Sequence, residues 1–219
     1  MTGIADNLQA IGKRLEGARG VTLLAVSKGQ SVERIREALA AGQKAFGENY
    51  VQEALGKMTA LPAGLEWHLI GPLQSNKTRP AAESFAWVQT ITGEKIARRL
   101  SEQRPEGLPP LNVLLQVNVS GEATKSGIAP AEAEALAGKI SVMPRLRLRG
   151  LMAIPEPGAD RSRFHEAKAL FERLKGRFGF DTLSMGMSDD MELAIAEGAT
   201  MVRIGTAIFG ARQKAKATA

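Results

Sequence analysis

The sequence contains no cysteine, and this absence removes several kinds of site at once. A chain without thiols has no disulfide framework, no thiolate nucleophile and no zinc site with sulfur ligands. Only two histidines are present, so a site built from several imidazoles is hard to assemble, and we expect no metal. Freedom from cysteine is typical of a protein of the reducing cytoplasm, which is the location that we expect.

Long apolar runs are also missing, because no stretch approaches the roughly 20 apolar residues of a membrane span. The N-terminus has no basic flank that leads into an apolar run, so we expect neither an export signal nor a membrane partner. Aromatic residues make up only 5% of the chain, and its basic residues are scattered. The net charge of +6 therefore favours a small anionic ligand over nucleic acid.

The sequence does contain a regular alternation of short apolar runs and amphipathic segments. This pattern is typical of buried parallel strands that alternate with helices. Eight such units predict an α/β fold, a closed (β/α)8 TIM barrel; an open doubly wound sheet is the alternative, since a strand count from one sequence can miss or add an element. The predicted strands are 21–26, 44–47, 65–70, 86–91, 111–117, 146–152, 182–185 and 201–204.

The length of the chain bounds the number of domains. With 219 residues and 44% hydrophobic content, the chain can bury one substantial core but leaves little for a second domain. We predict a single domain over 1–219. It would have an N-terminal helix at about 4–18, the barrel at about 20–212 and a short basic tail at 213–219.

Two short segments carry the strongest indication of a ligand. Residues 202–210 predict a strand that runs into a turn, where Gly205 lets the backbone approach an anion and Thr206 adds a hydroxyl donor. Lys28 follows the first strand, and in a closed barrel the first and eighth strands are neighbours that open on one mouth. A phosphate cradle opposite a lysine that can hold an aldehyde suits pyridoxal 5′-phosphate. We predict an apolar pocket around the lysine from Val26, Ile70 and Leu151.

Six blocks occur in order along the chain: AVSK at 25–28, FGENYVQE at 46–53, WHLIGPLQSNK at 67–77, GLM at 150–152, LSMGMSDDM at 183–191 and VRIGT at 202–206. Together they closely resemble the pyridoxal phosphate homeostasis protein family, also called the YggS or PROSC family. The similarity spans about residues 20–212 and is far more specific than any single short motif. That family is similar to the barrel domain of alanine racemase standing alone, and it is known for binding pyridoxal phosphate without established turnover.

The resemblance implies a set of cofactor-binding residues. Lys28 would hold the cofactor as an internal aldimine, and Asn49 would lie near it. The phosphate would be bound by Ser184, Gly205 and Thr206.

The resemblance also implies that Arg203 faces the pyridine nitrogen. An arginine there disfavours protonation of the nitrogen, so the ring is a weaker electron sink than one paired with an aspartate. Gly29 departs from the family pattern, because many members are expected to have a threonine or another larger residue at this position.

The predicted function is that of a binding protein in intracellular vitamin B6 homeostasis, which holds pyridoxal phosphate and buffers or delivers it. The alternative is a pyridoxal-phosphate-dependent racemase, or a related enzyme, acting on small amino acids. Racemisation needs a second base, typically a tyrosine from a partner subunit's extra domain in the racemase relatives, and Tyr50 is the only tyrosine here. We therefore favour the binding protein, as a monomer, with apo-forms of pyridoxal-phosphate-dependent enzymes as candidate partners.

Three other motifs have simpler explanations. Gly205 and Gly210 have the spacing that opens a P-loop, but residues 211–212 replace the lysine and hydroxyl residue that nucleotide binding needs. Residues 188–192 combine a hydroxyl with acids at a helix start, which predicts helix capping and compensation of the helix dipole rather than a metal site. His68 lies in an apolar strand and is predicted to be a hydrogen-bonded core residue.

Overall fold

The computed structural model describes residues 3–18, 20–121, 126–156 and 158–211. Eight parallel strands form a closed barrel in chain order, and the last strand pairs with the first. This confirms the predicted (β/α)8 TIM barrel and excludes the open sheet. The predicted basic tail at 213–219 lies outside the described residues.

The strands lie close to their predicted positions because their apolar residues are buried in the barrel. The fourth strand, for example, is buried along its whole length. The bounds are β1 Thr22–Val26, β2 Ala45–Glu48, β3 Glu66–Leu69, β4 Trp87–Ile91, β5 Leu111–Val117, β6 Leu146–Ala153, β7 Thr182–Ser184 and β8 Met201–Ile204.

Helices follow the strands and cover the outside of the barrel. The first helix precedes the barrel and lies against the second and the last. Within the described residues, every helix is too short or too polar to cross a bilayer. The bounds are α1 Ile4–Leu15, α2 Val32–Ala40, α3 Val51–Ala60, α4 Thr78–Ser84, α5 Glu94–Gln103, α6 Ala133–Ile140, α7 Arg161–Phe178, α8 Met191–Ala196 and α9 Thr206–Phe209.

Local signals explain where several helices begin and end. Ser31 caps α2 and accepts a hydrogen bond from the backbone amide of Arg34 at 3.5 Å. Pro130 opens a short 3-10 turn that leads into α6. Gly179 ends α7 with a left-handed φ of 67°, a conformation that glycine adopts without steric cost.

Candidate functional site

A cavity of about 250 Å³ opens at the carboxyl end of the barrel. All the predicted site residues except Ser184 line it, together with residues that the prediction did not include. Val26 and Ile70 contribute apolar surface as expected, whereas Leu151 is buried in the core and does not line the cavity. The lining residues are Val26, Lys28, Asn49, Ile70, Ile154, Met187, Ser188, Arg203, Gly205 and Thr206.

Strand pairing brings these distant residues together. Ala25 of β1 pairs with Ile204 of β8, so Lys28 and the turn after β8 emerge at the same edge. Asn49 directly follows β2, the other neighbour of β1. Arg203 belongs to β8 itself. Because the carboxyl ends of parallel strands meet at one mouth, closure of the barrel forms the site.

Two glycines allow close backbone approach around the cavity. A Cβ atom on Gly205 would lie 3.3 Å from both the Cβ atom and the carbonyl oxygen of Val26. A Cβ atom on Gly71 would lie only 2.2 Å from the carbonyl oxygen of Asn49. The turn after β8 therefore packs directly on β1, and the loop after β3 packs directly on Asn49.

Ser184 does not reach the cavity. Its side chain is fully buried inside the barrel, where its hydroxyl donates to Gln89 Oε1 at 2.7 Å and accepts from Arg203 Nη1 at 2.9 Å. Ser188, on the loop after β7, lines the cavity instead, and its Oγ accepts from the Ala207 amide at 3.4 Å. The structure thus places Ser188, and not Ser184, in the wall of the cavity.

Of the roles predicted for residues 188–192, an acid does lie in the first turn of α8, Glu192, but no side chain among the described residues caps the helix. Asp190 occupies the N-cap position of α8 without a side-chain capping bond, and its carboxylate accepts from the Met187 amide. Ser188 belongs to the cavity wall rather than to the helix cap. Its place in a loop after a predicted strand end was the signal that could have identified it.

Arg203 brings a buried positive charge to the cavity. Its side chain donates to Ser184 Oγ and to the carbonyl oxygen of Ala153, both at 2.9 Å. Burial lowers the pKa of the guanidinium from its ordinary value to about 10. Because that pKa still lies well above neutrality, Arg203 remains cationic at pH 7.

A line of hydrogen bonds continues from Arg203 through the barrel interior. Gln89 accepts from Ser184 through Oε1, and its Nε2 donates to His68 Nδ1 at 2.9 Å. His68 Nε2 then donates to Glu66 Oε1 at 2.8 Å. Each hydrogen bond in the line thus has a defined donor and acceptor. Because Ser184 is held by Gln89, its hydroxyl offers a fixed acceptor to the Arg203 guanidinium.

His68 is the buried core residue that the sequence predicts. Its ring is fully buried and stacks on Trp87 with the ring centroids 5.1 Å apart. Burial lowers the pKa of the imidazole, so the ring is neutral at pH 7. Since Nδ1 accepts from Gln89, the proton lies on Nε2.

Gly29 has a structural reason to be a glycine. Its φ is 69°, in the left-handed region that favours residues without a Cβ atom. Its amide donates to Glu53 Oε1 at 2.6 Å, which ties the residue after Lys28 to helix α3.

The alanine racemase N-terminal domain family matches residues 2–213, nearly the whole chain. The chain belongs to this family. The pyridoxal phosphate homeostasis protein of Pseudomonas aeruginosa is 59% identical to it over 223 residues, which cover 97% of each chain. The chain is therefore similar to this homeostasis protein over nearly the whole length of both proteins.

Solved structures of related proteins have the same fold as this chain. PipY from Synechococcus elongatus with pyridoxal phosphate bound has a TM-score of 0.85 at 38% identity, over 94% of this chain and all of that one. Alanine racemase from Corynebacterium glutamicum has a TM-score of 0.76 at 17% identity, over 97% of this chain and 62% of the racemase. The likeness to the racemase concerns the fold alone.

Proposed function

We propose that this chain is a pyridoxal-phosphate-binding protein of vitamin B6 homeostasis, which holds the cofactor in the mouth cavity and buffers or delivers it. The observation that carries this proposal is the meeting of Lys28, Arg203 and the Gly205–Thr206 turn in one cavity. The homeostasis protein at 59% identity and the ligand-bound PipY structure support the same cofactor.

The donor groups around the cavity fit the chemistry of the cofactor. The Lys28 amine can hold an aldehyde, and the hydroxyls of Thr206 and Ser188 can donate to a phosphate. The cationic Arg203 suits an unprotonated pyridine nitrogen, which accepts a hydrogen bond. When bound, the cofactor supplies a reactive aldehyde that amines capture reversibly.

Lys28 is a better attachment residue than its buried neighbour Lys57. The Lys57 ammonium donates to Ser27 O at 2.8 Å, to Glu48 Oε1 at 2.7 Å and to Glu53 Oε1 at 2.6 Å. These bonds use all three of its protons, and its side chain is only 7% exposed. Lys28, in contrast, lines the cavity.

The lining favours binding over racemisation. Among the described residues of the cavity wall, Lys28 and Arg203 carry the titratable side chains, and racemisation needs a base on each face of the substrate. Tyr50 is 65% exposed and does not line this cavity. A carrier needs no second base. We also propose that apo-enzymes are the acceptors of the cofactor, that the chain is a monomer and that it is located in the cytoplasm.

The attachment is tested by borohydride reduction of the loaded protein followed by peptide mapping. We expect the label on Lys28 and a colourless Lys28→Ala protein, whereas Lys77→Ala remains yellow. A label found mainly on Lys77 would contradict the assignment.

Delivery is separated from catalysis by a second experiment. The loaded protein is incubated with alanine or serine in deuterated water, and α-proton exchange and chirality are followed. We expect transfer of the cofactor to an apo-enzyme without such exchange. Exchange at an enzyme-like rate that is lost in Lys28→Ala would favour the racemase.

A further inference from the structure

The residues on both sides of Lys28 bond to one cluster of charged side chains, in which Glu48 and Lys57 are buried and Glu53 is partly exposed. Before the lysine, the Ser27 hydroxyl donates to Glu48 Oε1 at 2.5 Å. After it, the Gly29 amide donates to Glu53 Oε1 at 2.6 Å. The backbone that carries Lys28 is therefore held from the β2 end and from helix α3 at the same time.

Lys57 links these two attachments. Its ammonium bonds to the Ser27 carbonyl oxygen and to both carboxylates, at 2.6 to 2.8 Å. Glu53 and Lys57 are four residues apart on α3, so they share a face of that helix. We call Ser27, Glu48, Glu53 and Lys57 the clamp.

The clamp is costly to bury, and this cost makes a purely stabilising role a poor explanation. The Glu48 side chain is fully buried and the Lys57 side chain is 7% exposed. Within the described residues, Glu48 Oε2 has no hydrogen-bond partner. Burial raises the pKa of the Glu48 carboxyl, which reflects this desolvation. Buried ion pairs stabilise a fold little compared with apolar residues of similar size, but they can specify geometry.

We propose that the clamp is the positioning device of Lys28: it holds the backbone on both sides of the lysine so that the amine points at the bound aldehyde. This inference rests on the proposed function. Glu48, Glu53 and Lys57 act through the Ser27–Gly29 backbone and are positioning residues, not groups that react. Loss of the clamp should therefore slow attachment at Lys28 more than it weakens occupancy of the cavity.

Glu53 is the best position for a test because its side chain is 29% exposed, so its removal should be tolerated. Glu53→Ala removes the acceptor of the Gly29 amide, while Glu53→Gln keeps an oxygen at the same place. Glu172→Ala is the matched control. Glu172 also pairs with a lysine four residues away, Lys168, at 2.7 Å, but on α7 and away from Lys28.

Two ligands separate positioning from general damage. Pyridoxal phosphate reports attachment through its absorbance, whereas pyridoxamine 5′-phosphate has an amine in place of the aldehyde and reports occupancy of the cavity alone. We expect Glu53→Ala to slow attachment about tenfold, since small misplacements of a reacting group cost this much or more. The Kd for pyridoxamine phosphate should stay unchanged, Glu53→Gln should recover the parent rate, and Glu172→Ala should match the parent.

The proposal is overturned if Glu53→Ala attaches pyridoxal phosphate at the parent rate, if both ligands weaken together, or if Glu53→Gln fails to rescue. Failure of the proposed function gives a different result, because the parent protein itself would then form no bond at Lys28.

A test of the two buried members of the clamp, Glu48 and Lys57, needs a variant that removes both charges together. Lys57→Met alone would leave the Glu48 carboxylate buried without its cation, and the protein could unfold for that reason. The double variant Lys57→Met/Glu48→Gln removes both charges and keeps the side-chain volumes. We expect a folded protein, judged by its melting curve, with the same selective loss of attachment rate; a parent-like rate in this folded variant would overturn the proposal.

Discussion

We expect Ser188 to contribute to ligand binding and Ser184 to contribute to the stability of the fold, and two alanine variants can separate these roles. Ser188 lines the cavity, whereas Ser184 lies in the hydrogen-bonded line inside the barrel. Ser188→Ala should weaken the binding of pyridoxal phosphate and leave the fold intact. Ser184→Ala should destabilise the fold because it leaves two buried partners without their bond.

The magnitudes follow from the bonds that are lost. A hydrogen bond to a charged group contributes about 1.5–3 kcal/mol, so Ser188→Ala should raise the Kd by at least about tenfold. Ser184→Ala leaves Arg203 Nη1 and Gln89 Oε1 unsatisfied inside the barrel. Each unsatisfied buried group costs about 1–3 kcal/mol, so the free energy of unfolding should fall by about 2 kcal/mol or more.

The assay titrates each variant with pyridoxal phosphate and with pyridoxal, and measures stability by urea unfolding without ligand. Because the Ser188 hydroxyl is expected to contact the phosphate, its removal should not affect the binding of pyridoxal. The reasoning is refuted if Ser184→Ala weakens only the phosphorylated ligand at full stability while Ser188→Ala has no effect. That pattern would support the phosphate-binding role that the family resemblance implies for Ser184.

Gly71→Ala should lower both the stability of the fold and the affinity for the cofactor, because the new Cβ atom would lie 2.2 Å from the Asn49 carbonyl oxygen and must displace that backbone. Melting curves and cofactor titrations measure the two effects, and unchanged curves would contradict this packing. Burial lowers the pKa of His68, so its contribution to stability is complete above the unfolded-state pKa of about 6.5 and is lost as the pH falls below it. Urea unfolding from pH 8 to 5 should therefore show a smaller pH slope in His68→Asn than in the parent, and equal slopes in the two proteins would contradict the burial of a neutral imidazole.

The barrel itself was predictable because its signals are local. Most strands are short apolar runs between polar turns, and most helices have an apolar face, so the alternation is visible without tertiary contacts. The interior hydrogen-bonded line was not predictable in the same way. Ser184 and Gln89 are 95 residues apart, on β7 and β4, which do not pair with each other, and only closure of the barrel brings their side chains together in its interior.

Glu53 and Lys57 show the same limit at the site. By sequence they are a glutamate and a lysine four residues apart on a helix, a spacing that usually forms an exposed surface pair. The structure places that pair against Ser27 and Glu48, where it bonds to the backbone on both sides of Lys28.

The sequence by itself determined the eight strand-and-helix units, the lysine after the first strand and the Gly-Thr turn after the last, because these depend on residue type and on neighbours along the chain. The tertiary structure alone decided which hydroxyl faces the cavity, which charges are buried and which side chains bond to the residues beside Lys28. The physical reason is that the direction of a strand side chain and the burial of a helix face depend on register and packing between segments far apart in the chain.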